Sequence, residues 1–192
     1  MTTAFVFPGQ GSQYPGMGRD LSWCGSPALA TVGSAEEVTG LPVHELMTRA
    51  DAATLADPEI SQLLVFVHSI VLLNRIRADG ARCAVTAGHS LGEYTAMVAA
   101  GMLSWSDGLA LVAARGRAMA EVARRTPGAM AAVVGLDSDH VSDLCAAAAA
   151  QPVVVANVNS PRQTVVSGVN AGVDEVAAAA AAAGALRAKR LP

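Results

Sequence analysis

Ser90 is the residue of this 192-residue chain best placed to do chemistry, because it stands at the centre of Gly88-His89-Ser90-Leu91-Gly92. An apolar run, Ala81 to Ala87, precedes the pentapeptide, and an amphipathic run begins at Leu91. That order predicts strand, sharp turn and helix with the serine at the apex. Such a turn needs small residues two before and two after the serine, where a side chain would collide with the neighbouring strand or helix. The geometry lifts the hydroxyl clear of the sheet and points the first free N–H groups of the helix at whatever it attacks. Ser90 therefore reads as a nucleophile. A second glycine-rich turn, Gly9-Gln10-Gly11-Ser12-Gln13, follows a short apolar strand, Ala4 to Phe7, that Pro8 interrupts.

Arg115 is the second candidate. Leu111, Val112, Ala118 and Met119, at three- and four-residue offsets, are all apolar, so its face of a helix is expected to point inward. Arg117 has Glu121 at the i+4 offset and a solvated face to itself, whereas Arg115 has no local counter-charge. A guanidinium against apolar surface is costly unless an anion meets it, and its planar fork suits a carboxylate. Two readings stand side by side: a grip for a substrate carboxylate, or an arginine whose stem packs while its head reaches water.

The elements that must position these residues follow from local signals. Asp57-Pro58-Glu59 starts a helix that is apolar on most faces, runs from Ile60 to Ile76 and closes at Asp79-Gly80. It is expected to pack on the sheet, giving a βαβ-like unit. Ser104 with Asp107 forms a capping box for a helix reaching about Arg124, ended by Thr126-Pro127-Gly128. Beyond it the order is strand (130–135), helix (139–150), strand (153–157), strand (164–167), helix (173–183) and strand (185–191). That βαββαβ order is the ferredoxin-like signature. The alanine tracts need no explanation beyond helix propensity.

Composition narrows the function classes. Apolar residues make up 52% of the chain and charged residues 15%, which excludes a disordered polyelectrolyte and predicts a sheet buried on both faces. A net charge of -3 with no basic cluster argues against a nucleic-acid surface. Cys24, Cys83 and Cys145 are odd in number and widely spaced, so no disulfide framework is expected and a reducing, cytoplasmic setting fits. His44, His68, His89 and His140 lack ligand spacing, so no metal is expected. The strongly apolar stretch Leu63 to Leu73 is too short to span a bilayer, and no membrane association is expected.

FPGQGSQ at Phe7 to Gln13, GHSLGEY at Gly88 to Tyr94, RGRAM at Arg115 to Met119 and NVNSPRQTVVSG at Asn157 to Gly168 occur in that order. Together they resemble the malonyl-CoA:acyl-carrier-protein transacylases, and most of the pattern is shared with the acyltransferase domains of polyketide synthases. The resemblance runs over the whole chain. It implies an α/β fold: an incomplete α/β-hydrolase-like large domain with a parallel sheet over 1–127, and a ferredoxin-like small domain over 128–192. It also implies ping-pong transfer of malonyl from coenzyme A through a Ser90 ester to the phosphopantetheine thiol of acyl carrier protein, for fatty-acid or polyketide synthesis. In that scheme the backbone N–H groups of Gln10 and Leu91 form the oxyanion hole and Arg115 grips the malonyl carboxylate. Malonyl-CoA is then a substrate, and no cofactor is implied. Gln62 lines the pocket by the same analogy, although ISQLLVF lacks the proline usual after that glutamine.

The pattern breaks at the base. The family uses a histidine from beyond the ferredoxin-like segment, and Arg190-Leu191-Pro192 matches the end of that segment. None of the four histidines present is a convincing substitute, so the expectation is a fragment, or a site completed by a separate C-terminal polypeptide. Met1 lies close to the first strand, which favours a free-standing enzyme over a synthase module. Two rivals remain: an esterase or thioesterase of the α/β-hydrolase class, which explains Ser90 but neither Arg115 nor the FPGQGSQ loop, and a noncatalytic carrier-protein-binding remnant.

Overall fold

The computed structural model describes residues 2–19, 21 and 25–191, so Cys24, Met1 and Pro192 lie outside the described residues. The fold is mixed α/β, with one parallel and one antiparallel sheet. Two compact units divide it, Met1–Glu121 and Val122–Pro192.

In the first unit, β1 (Ala4–Phe7) is followed by α1 (Ser26–Thr39), α2 (Val43–Arg49), α3 (Ala52–Leu55), α4 (Pro58–Ala78), β2 (Val85–Gly88), α5 (Gly92–Ala99) and α6 (Trp105–Arg125). β1 and β2 pair in parallel, Ala4 beside Val85 and Phe7 beside Gly88. The ladder continues one step further, His89 N–H donating to Phe7 O at 3.1 Å. Parallel pairing therefore brings both glycine-rich turns out at the same end of the sheet, the carboxyl end at which open α/β sheets bind ligands.

α4 forms as its signals predict. Asp57 accepts from Glu59 N, Pro58 occupies the first turn, and Asp79 caps the far end. Its 21 residues are long and apolar enough to cross a membrane, but Leu63, Leu64, Phe66, Val67 and Val71 are buried in a protein core. It packs on α1, α2, α3 and α5 and shares one core with Phe7 of β1, with Phe5 packed against it, as expected of a helix on the sheet. Phe66 stacks on Trp105 at 5.4 Å between ring centroids, which ties α4 to α6. The intervening helices α1 to α3 carry no strong periodic signal and were not anticipated by the pattern.

Two expectations about the sheet need correction. Only Val85–Gly88 of the apolar run becomes strand, because Asp79-Gly80 ends the helix and residues 81–84 are used as connection. The sheet is not buried on both faces: Val6 is 76% exposed and Val85 56%. The apolar excess of the chain resides in α4 and in alanine-rich helices, while α5 packs against β1 and β2. A cleft of about 460 Å³ runs between β1 and α4, lined by Val6, Phe7, Tyr14, His68, Leu72 and Ile76 among others.

Close backbone approach fixes the Ser90 turn. A Cβ on Gly92 would lie 2.3 Å from Phe7 O, and one on Gly88 would lie 2.0 Å from the Gly92 carbonyl carbon. Neither obstacle is a flexible side-chain end, so the strand or helix itself would have to move. Gly92→Ala is expected to cost about 3 kcal/mol, measured as a shift in the urea midpoint at constant slope. A loss under about 0.5 kcal/mol would contradict this packing.

The second unit contains β3 (Gly128–Val134), α7 (Ser138–Ala147), β4 (Val153–Ser160), β5 (Gln163–Val169), α8 (Asn170–Ala182) and β6 (Arg187–Arg190). Its sheet is antiparallel in the order β4-β5-β3-β6. Ala131, Val133, Val141, Val166, Val173 and Val176 form its core. Asp137 caps α7 by accepting from His140 N, and this backbone hydrogen bond holds its carboxyl below the usual aspartate range. Cys145 is buried within this unit, and burial pushes its thiol up.

Candidate active site

Ser90 occupies the turn between β2 and α5 with φ of 53°, the one positive-φ residue other than glycine among the described residues. An L-residue held in that region carries strain, which a reactive turn tolerates because it presents the side chain. Leu91 behind it is fully buried and anchors the turn. The Gly9-Gln10 loop is pressed against the same turn, since a Cβ on Gly9 would lie 2.5 Å from His89 O. Among the described residues, neither the Gln10 N–H nor the Leu91 N–H donates to a protein acceptor. Two amide donors are thus free on the two loops that meet at the serine.

Arg115 reaches the serine from α6. Its Nη2 donates to Ser90 Oγ at 2.9 Å and its Nη1 to Gln62 Oε1 at 2.5 Å. The guanidinium carbon lies 5.9 Å from the centre of the Tyr94 ring, within range of a cation–π contact. The approach depends on Gly116, whose added Cβ would sit 3.0 Å from Glu59 Cα. There α6 crosses the first turn of α4, and Gln62 is one turn further along. The inward placement of Arg115 is correct, but the reason is different from the one the spacing gave. Leu111 and Met119 are 48% and 38% exposed, so the crossing at Gly116, not an apolar flank, turns the residue toward Ser90. Two neutral oxygens, Gln62 Oε1 and Ser90 Oγ, accept from Arg115, and neither offsets its charge.

The expected Arg117–Glu121 pair does not form; Arg117 is exposed and has no ion-pair partner among the described residues. An exposed i,i+4 pair is worth only a few tenths of a kcal/mol, and basic-before-acidic is its weaker order. Gln62 does not line an open pocket. It is 0% exposed, behind Arg115, and its Nε2 donates to Gln10 Oε1 at 3.3 Å and contacts Met119 Sδ. One signal for it was in the sequence: a lone amide in an apolar helical run must find partners once buried. Tyr94 carried no such signal. His89 is exposed, with Nδ1 against Gly9. The 460 Å³ cleft is lined by neither Ser90 nor Arg115, so chemistry rather than concavity locates the site.

A strained serine, free amides and a cation at hydrogen-bond distance from the hydroxyl can together attack a carbonyl carbon, hold a developing oxyanion and bind a carboxylate. The chain belongs to the acyl transferase domain family, which matches residues 4–191. It is 39% identical over 191 residues to the malonyl CoA-acyl carrier protein transacylase of Escherichia coli K12, covering 98% of this chain and 62% of that protein. The solved malonyl CoA-acyl carrier protein transacylase of Coxiella burnetii superposes with a TM-score of 0.91 at 36% identity, covering all of this chain and 61% of that one. A malonyl-transacylase solved in complex with a type II polyketide-synthase acyl-carrier protein gives a TM-score of 0.89 at 34% identity, with 100% and 62% covered. The chain thus spans about three fifths of the length of these relatives.

Proposed function

We propose that this chain carries the nucleophile, oxyanion donors and carboxylate grip of a malonyl-CoA:acyl-carrier-protein transacylase. The observation that carries the reading is the 2.9 Å contact between Arg115 and Ser90 Oγ. A malonyl group esterified to Ser90 has its free carboxylate one methylene beyond the ester carbonyl, so a cation beside Oγ is within its reach. Acetyl offers nothing to that cation. In the first half-reaction Ser90 Oγ bonds to the thioester carbonyl carbon, the C–S bond breaks, and coenzyme A leaves as the thiol with the proton the serine gives up. In the second, the phosphopantetheine sulfur bonds to the ester carbonyl carbon, the C–Oγ bond breaks, and the thiol proton passes to Oγ. The Gln10 and Leu91 N–H groups hold the tetrahedral oxyanion in both. No cofactor takes part.

The finer architecture belongs to the same reading. Residues 1–127 are part of an α/β-hydrolase-like domain and residues 128–192 are a ferredoxin-like domain; the β4-β5-β3-β6 order supports the latter. A serine hydroxyl needs a base, and in this reading it comes from the part of the relatives' length that these 192 residues do not span, carried either by the same protein, of which this chain is then a fragment, or by a separate polypeptide. The setting is cytoplasmic, and the product feeds fatty-acid or polyketide synthesis.

The test mixes the protein with malonyl-CoA and then with holo acyl carrier protein, following both by intact mass. Little transfer is expected from the 192 residues alone, with a malonyl ester forming slowly on Ser90 and passing to the carrier thiol. Rapid release of free malonate would assign a hydrolase, and carrier binding without an ester would assign a noncatalytic scaffold. Adding the C-terminal segment of a relative is expected to raise the acylation rate by about 10²-fold or more, the worth of a general base. An unchanged rate would remove the complementation.

A further inference from the structure

The side-chain amide of Gln62 joins two sequence motifs at one point. It is fully buried on α4, and it touches Gln10 of the first glycine-rich loop together with Arg115 and Met119 of α6. Arg115 and Met119 are four residues apart and so lie one above the other on one helical face. The amide spans that single turn, with its oxygen to Arg115 and its nitrogen to Met119 and Gln10.

The orientation of the amide is forced. A guanidinium only donates, so Oε1 must face Arg115, and Nε2 is then left to two acceptors, the Gln10 carbonyl oxygen and the thioether. A flipped amide would set NH₂ against the cation and oxygen against oxygen. One arrangement satisfies every group.

We propose that Gln62 is a positioning residue: it fixes one nitrogen of Arg115 so that the other faces Ser90, and it ties the Gln10 loop to the same point. The inference rests on the acyl-transfer reading of the site and adds a cause for its selectivity. A neutral acceptor holds the guanidinium without cancelling its charge, which stays available to an acyl carboxylate. A carboxylate at this position would hold Arg115 equally well and neutralise it. Through Gln10 the same amide sets the loop whose N–H group faces the reacting carbonyl.

Two variants separate holding from charge. Gln62→Leu keeps the approximate size and removes all three polar contacts, and Gln62→Glu keeps the grip on Arg115 while adding a negative charge. Nitrogen-15 spectra of the arginine side chains, assigned with Arg115→Lys, are recorded during a titration with malonate. Slow guanidinium rotation at Arg115 is expected in the wild-type chain, fast rotation in Gln62→Leu with its melting transition preserved, and slow rotation in Gln62→Glu. Malonate binding is expected to weaken roughly tenfold or more in both variants.

Arg115 as ordered in folded Gln62→Leu as in wild type would overturn the proposal. If the leucine variant does not fold, the glutamate variant decides, and malonate binding as tight as wild type overturns it. The transfer reading fails separately. A wild-type chain that forms no Ser90 ester from malonyl-CoA, even with the C-terminal segment, while Arg115 still answers to Gln62, sinks transfer and leaves positioning standing.

Discussion

Ser90→Ala is expected to abolish the malonyl ester, with single-turnover acylation by malonyl-CoA falling at least about 10⁴-fold in the presence of the completing segment. The other polar groups around the turn among the described residues are engaged: Gln62 is a buried amide, Ser12 Oγ donates to Gly9 O, Tyr94 faces the Arg115 guanidinium, and His89 Nδ1 lies against Gly9. Intact-mass spectrometry reads the result. An ester persisting on the alanine variant would move the nucleophile elsewhere. Stability should part from activity at this position. Ser90→Gly also removes the hydroxyl, but it relieves the positive φ of 53°. The strain released, about 1–2 kcal/mol, exceeds the entropy a glycine costs, about 0.5–1 kcal/mol. The glycine variant should therefore match or exceed the wild type by up to about 1 kcal/mol in urea unfolding. A glycine variant less stable than the alanine one would show that the turn is held in place by the serine side chain itself.

Arg115→Ala is expected to lower the preference for malonyl over acetyl by about a hundredfold, the value of a charge-assisted, two-bond grip on a carboxylate. The change should appear in the ratio of the two Ser90 esters formed from mixed malonyl-CoA and acetyl-CoA. Acetyl transfer itself should survive, because acetyl never engages the guanidinium. Arg115→Lys should recover only part of the preference, since an ammonium cannot serve Gln62 and the acyl carboxylate in one plane as the fork does. An alanine variant with an unaltered ratio would assign the arginine to packing, the reading its long stem allows. The charge matters here because Arg115 has no acidic partner among the described residues. Its contacts are Gln62, Ser90 and the Tyr94 ring.

The helix caps at Asp57 and Ser104 and the four-residue strand Ala4–Phe7 stood where local signals put them. Those signals are short-range: a side-chain oxygen and a backbone N–H two or three residues apart. The serine turn was equally readable, since its glycines answer to atoms within a few residues or on the paired strand. The segment between Gln13 and Asp57 was opaque. α1 contains a glycine and small polar residues with no sustained apolar stripe, and it becomes a helix against α2 and α4, where packing outweighs weak propensity.

Residue types and their order alone singled out the candidate groups: a serine between glycines and an arginine in a helical run from their own settings, and a glutamine in a tight loop from the resemblance to one family. Only the tertiary structure decided how they meet. The parallel register of β1 and β2 brings two loops some 80 residues apart to one sheet end, and the Gly116 crossing carries Arg115 to Ser90. The structure also turned Gln62 from a pocket residue into a buried clamp. Such contacts are set by distances between elements remote in sequence, and a pattern read along the chain contains no term for them.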